Sequence, residues 1–96
     1  MMLEELVLHP KDNVATAVRL LEKGKRISFK DRGNDTDVLL VQTIPFGHKF
    51  ALTDIEPGEK IIKYGEVIGQ ATKSIEKGEH VHVHNVEGLR GRGDRQ

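Results

Sequence analysis

The 96 residues carry fifteen Lys plus Arg against fifteen Asp plus Glu, so no net field draws the chain to nucleic acid or an anionic membrane. A hydrophobic share of 36%, with three Phe, one Tyr and no Trp, describes one small domain with an aliphatic core, too small to wall a deep cleft alone. The absence of cysteine excludes disulfide staples, thiolate metal sites and a cysteine nucleophile, and suits a reducing compartment.

No apolar run approaches the roughly 20 residues of a membrane helix, and MMLEELVLHP has neither the basic start nor the apolar stretch of a secretion signal. The chain therefore reads as soluble and cytoplasmic. Leu6, Val7 and Leu8 predict a short first strand, closed by Pro10, which cannot donate to a ladder. A helix is expected next. Asp12 or Asn13 caps it, Val14, Ala17, Val18 and Leu21 fall at i, i+3, i+4 and i+7, and Gly24 supplies the stop. On this reading Val18→Asp would place an unpaired charge in the helix contact.

Beyond Gly24 the period changes to two, and the rest predicts short strands separated by turns. Ile27 and Phe29 alternate with polar neighbours, and residues 31 to 37, DRGNDTD, predict an exposed hairpin loop before a strand at Val38 to Val41. Ile61 and Ile62, Val67 and Ile68, and Val81 and Val83 mark the remaining strand cores.

One unit recurs: an apolar residue, two others, Gly, two polar residues, and a second apolar residue. It occurs at Leu21 to Ile27, Ile44 to Phe50, Ile55 to Ile61 and Ile75 to Val81. Pro57-Gly58 in the third copy is the pair favoured at the centre of a type II turn, so the repeat predicts a turn-then-strand device and says nothing of a ligand. Gly65 and Gly69, spaced by four, match no phosphate-binding loop and predict corners of a bent β-structure.

His80, His82 and His84 alternate along GEHVHVHN, so a strand would send all three imidazoles out of one face, with neighbours about 6.5 to 7 Å apart at the backbone. Three readings stand: metal ligands, a surface for an acidic or hydroxylated substrate with one ring as general base, or a solvated face opposite Val81 and Val83. His48-Lys49 sets a cation beside a titratable ring after a Pro- and Gly-bearing turn, which suits either an acidic substrate or an exposed polar pair. Asp12, Glu59 and Glu79 are isolated acids that sequence spacing does not pair.

The strings Asp12 to Ala15, Ile44 to Leu52, Ile62 to Gly65, Ile68 to Thr72 and Gly78 to Asn85 together resemble the N-terminal SAF domain of the altronate and galactarate dehydratase family. The resemblance covers about residues 9 to 85. It implies a β-clip fold, which with the patterns above gives a mainly β domain with one short helix over residues 1–88; residues 89–96, Gly- and Arg-rich and without an apolar period, read as a flexible tail or a docking strand. The resemblance implies a lyase removing water from a sugar acid with the help of a divalent metal, often iron. In some members the domain precedes a large catalytic region, and in others, such as the sulfolactate sulfo-lyase small subunit, it is a separate chain.

The expected role is the small subunit of a two-component sugar-acid dehydratase, working with a large catalytic subunit. His48, His82 and His84 would be catalytic, Lys49, His80 and Asn85 would bind substrate, and the metal ligands are not assigned. A homo-oligomer is compatible with exposed sheet edges. The alternative is a stand-alone module that binds a sugar acid or a protein without catalysis.

Overall fold

A computed structural model describes residues 9–31 and 34–88. Eight strands fill them: β1 (Val14–Thr16), β2 (Arg26–Asp31), β3 (Asn34–Leu39), β4 (Lys49–Ala51), β5 (Lys60–Lys63), β6 (Glu66–Ala71), β7 (His80–Val81) and β8 (Val86–Gly88). They form a three-stranded sheet β1-β4-β7, the hairpin β2-β3 and a second three-stranded sheet β5-β6-β8, all antiparallel. The mainly β expectation is met. The strand expected at Leu6 to Leu8 and the tail at 89–96 lie outside the described residues.

The short helix is a correction: among the described residues there is none. Val14 and Ala15 are consecutive and both buried, whereas Val18 is 57% exposed, which no single helical stripe produces. The segment is a strand because its backbone groups find distant partners. β1 pairs with β4, Asn13 N–H donates to the Ile62 carbonyl and Ala17 N–H to the His48 carbonyl. The supposed cap is a clamp instead. Asn13 accepts from Ile62 N–H at 2.8 Å and donates to the Lys60 carbonyl at 2.9 Å. An Asp at position 18 would therefore meet solvent.

The sheet β1-β4-β7 has a core on each face, because successive residues of a strand point opposite ways. Ala15 and Phe50 belong to one buried cluster with Leu21, Ile27, Val38 and Ile44. Val14, Ala51 and Val81 belong to the other, with Ile55, Ile61 and Ile75. Strand β3 begins earlier than the sequence predicts and pairs with β2 as far as Asp31 opposite Asn34, so most of the loop expected at 31 to 37 is strand; residues 32–33 lie outside the described residues. Gly69 lies where β8 approaches β6 closely.

The repeated unit builds the frame. Each copy closes a four-residue turn, with N–H to carbonyl bonds from Lys25 to Glu22, His48 to Pro45, Glu59 to Glu56 and Glu79 to Glu76 at 2.8 to 3.1 Å. The third residue of each turn is a glycine with φ between 83 and 91°, the type II geometry. The copies meet in pairs: Leu21 and Ile44 exchange two backbone bonds, as do Ile55 and Ile75. All eight first and last apolar residues of the unit are buried, so the repeat is also the core. Gly78 has a second constraint, since a Cβ there would stand 2.1 Å from the Leu39 carbonyl oxygen. Gly78→Ala should cost about 2–4 kcal/mol in urea unfolding, left-handed backbone plus overpacking, and Gly58→Ala, with open space around it, only about 1 kcal/mol.

The start of the described chain is fixed by a buried ion pair. The Asp12 carboxylate is fully enclosed and stands 3.5 Å from Lys63 Nζ, and it accepts N–H bonds from Gly65 at 2.8 Å and His9 at 3.2 Å. Burial pushes its pKa up, but the amides of Gly65, His9 and Tyr64 and the Lys63 charge outweigh that and hold it below 3.8. A carboxyl depressed by folding contributes stability that is complete above its unfolded value and is lost as pH falls through the folded value. Asp12→Asn should therefore lower stability by about 1–3 kcal/mol at neutral pH, with the gap to the parent closing below pH 3.8 in unfolding curves taken across the acid range.

Candidate functional site

The pairing of β4 with β7 sets Phe50 opposite His80 and Lys49 opposite Val81. His48, the last residue of its turn, and His80, on the adjoining strand, thereby become neighbours. Their rings are hydrogen-bonded, His48 Nδ1 to His80 Nε2 at 2.8 Å, so one nitrogen donates and the other accepts. The His48 ring also stacks on His82, with centroids 4.1 Å apart and planes inclined by 16°. His80 lies 5.5 Å from His82 and 5.2 Å from His84, the latter tilted by 38°.

The histidines are gathered by a turn, which corrects the expectation of a strand through residue 84. Strand β7 ends at Val81, and Val83 is 81% exposed, where a continued strand would have buried it. Asn85 makes the turn. Its N–H donates to the His82 carbonyl, its Oδ1 accepts from His82 N–H at 3.0 Å, and its Nδ2 donates to the His80 carbonyl at 2.9 Å. Asn85 is fully buried, so the expected direct hydroxyl contact gives way to a positioning role: the amide folds His82 back onto His48.

Two further side chains hold the cluster. Gln42 Oε1 accepts the His80 N–H at 2.9 Å, a role that nothing in its local sequence signals. Glu79 caps its own turn by accepting from Glu76 N–H at 2.8 Å and reaches Asn85 Nδ2 at 3.5 Å. Glu59 caps the corresponding turn through Glu56 N–H, and Asp12 serves the ion pair with Lys63.

Burial first, then the neighbouring His48, His84 and His82 rings, lower the His80 pKa below 6.5, with Glu79 opposing. His80 is thus a neutral imidazole at pH 7, with a lone pair to offer. One ring nitrogen from each of His48, His80 and His82 can be chosen so that all lie within 4.8 Å of one another. Three imidazoles in their lone-pair form are a donor set for zinc, iron, copper or nickel, so the residues fit the divalent metal that the resemblance implies. His84 stands outside this trio.

Lys49 lies on the other face of the sheet from His80, since it opposes Val81. It meets His82 at a shallow depression of about 180 Å³ whose apolar wall includes Ile68, Val81 and Val86. Exposed Phe46 and Val83 stand beside the histidines in sequence, at 71% and 81% exposure. No helix among the described residues is long and apolar enough to cross a membrane.

The structure thus defines a small β domain that presents an imidazole cluster at its surface. The chain belongs to the family of altronate/galactarate dehydratase SAF domains, whose model matches residues 4–89. It is 43% identical over 84 residues to altronate dehydratase of Escherichia coli, covering 88% of this chain and 16% of that protein. To altronate dehydratase of Bacillus subtilis it is 39% identical over 80 residues, covering 83% of this chain and 15% of the relative. Against (2R)-sulfolactate sulfo-lyase subunit alpha of Chromohalobacter salexigens the match is 36% over 87 residues, covering 86% of this chain and 93% of the relative. The chain therefore spans about a sixth of the altronate dehydratases but nearly all of the sulfo-lyase subunit.

Removing the Asn85 amide should loosen the histidine turn. Asn85→Ala leaves buried backbone groups unpaired and should cost about 1–3 kcal/mol in chemical unfolding. The His82 ring resonances should also move toward free-imidazole positions in NMR spectra, while those of His9 stay in place.

Proposed function

We propose that this chain is the small subunit of a two-component sugar-acid dehydratase, lending its imidazoles to an active site completed by a large catalytic subunit. The observation that carries this reading is the placement of His48, His80 and His82 at an open surface. Ligand sites usually enclose about 300–1,000 Å³, and the depression shared by Lys49 and His82 holds about 180 Å³. A second wall has to come from elsewhere. Exposed Phe46 and Val83 offer apolar area for that contact, and close coverage of a relative named as a subunit supports a separate chain.

Dehydration next to a carboxylate needs a base for the carbon-bound proton and an acid for the departing hydroxide. In this reading Lys49 draws the substrate carboxylate toward His82. Neutral His80, oriented by its hydrogen bond to His48, takes up the carbon-bound proton and passes it to the leaving hydroxyl, which departs as water, so that the ring ends neutral as it began. His84 lies at the rim, where it can contact substrate but does not join the shared-proton pair. Where His48, His80 and His82 hold a divalent metal instead, the metal would supply Lewis acidity to the departing hydroxyl and the base would come from the large subunit. Loss of sulfite from a sulfonated hydroxy acid is the second reading, favoured by the relative that is matched over 93% of its length.

The test is to mix this chain with a large subunit resembling the remainder of the altronate dehydratases and to assay altronate, galactarate and (2R)-sulfolactate. Turnover should require both chains. His82→Ala, at an exposed position, should lower kcat by roughly 10²–10⁴-fold with the complex intact. Unchanged turnover with His82→Ala would remove the histidines from the mechanism, and full activity of the large chain alone would remove the subunit reading.

A further inference from the structure

We propose that His48, His80 and His82 form a three-imidazole site that binds a divalent first-row transition ion on this chain alone, before any large subunit is engaged. The inference goes beyond the subunit reading and does not depend on it, because it concerns one folded domain.

His48 Nδ1 and His80 Nε2 stand 2.8 Å apart in a hydrogen bond, so the lone pair of the acceptor already points at the position where the donor nitrogen holds its hydrogen. Bonds of about 2.0–2.1 Å at a tetrahedral angle place two ligand nitrogens about 3.3 Å apart. Replacing the shared hydrogen by an ion therefore asks the two rings to separate by only a few tenths of an ångström. The third nitrogen, on His82, lies within 4.8 Å of the other two, and its exposed ring stacks on that of His48.

The surroundings favour this chemistry over a purely polar face. Backbone bonds from Gln42 and Asn85 fix the His80 and His82 main chain, which reduces the ordering cost of assembling the ligands. Glu79, the nearest acid in sequence, is occupied by Glu76 N–H and Asn85 Nδ2. The trio therefore includes no carboxylate ligand, and an ion held by it keeps its full charge. Three protein ligands also leave coordination positions open, the pattern of catalytic rather than structural sites.

Untagged chain, stripped with chelator, would be titrated with Zn²⁺ by calorimetry and with Co²⁺ by visible absorption. The expected result is one ion per chain, a four- or five-coordinate Co²⁺ spectrum, and affinity lowered at least roughly tenfold by His48→Ala or His82→Ala. His9→Ala, remote from the cluster, should bind as the parent does. Heteronuclear NMR would verify that each variant is folded. No binding by the folded parent overturns the proposal. So does binding that survives both His48→Ala and His82→Ala, or that is lost with His84→Ala while His48→Ala retains it. None of these outcomes bears on whether a large subunit is needed for turnover.

Discussion

Strand β4 is only three residues long, yet the molecule depends on its pairing with β1 on one side and β7 on the other. Through Phe50 and Ala51 it feeds two separate cores. Through its register with β7 it brings together histidines that are 32 positions apart in the chain. Backbone hydrogen bonds alone would not hold so short a sheet in water, because isolated strand pairs are marginal. Covering both faces with aliphatic side chains makes it stable, and the site inherits that rigidity on the side where His48 and His80 leave the sheet.

Much of this was legible in the sequence. The four copies of the glycine unit predicted four turns followed by strands, and those turns carry the frame. What the sequence did not reveal was that the copies meet in pairs, Leu21 with Ile44 and Ile55 with Ile75, since no local signal encodes a contact between distant turns. The helix expected around Val14 to Leu21 failed for a related reason. Val14, Ala17, Val18 and Leu21 fall at helical spacing, but the decision fell to β4 and Ile62, whose backbone groups needed partners. Asp12 and Asn13 were recognised as side chains that bind backbone, but the backbone they bind lies some fifty residues away.

The site shows the same division. Alternation along residues 80 to 84 marked the right histidines, although the geometry that unites them is a turn held by Asn85 and not a strand face. His48 was singled out by the string around it, and its meeting with His80 is a matter of sheet register. Lys49, adjacent to His48 in sequence, is carried to the opposite face by the alternation of β4 and reaches the cluster through His82. A carboxylate held by Lys49 would therefore approach the imidazoles from the His82 side, which gives the surface a direction.

The turn unit separates architecture from chemistry within seven residues. Its outer apolar pair and its glycine are committed to the core and the bend, whereas the two residues after the glycine are Lys25-Arg26, His48-Lys49, Glu59-Lys60 and Glu79-His80. The same backbone perch thus carries cations, acids or imidazoles, the acids Glu59 and Glu79 also capping their own turns. Functional groups on such a scaffold can be exchanged like keys on a common ring, and a lineage built on it can change the chemistry it presents while its interior stays as it was.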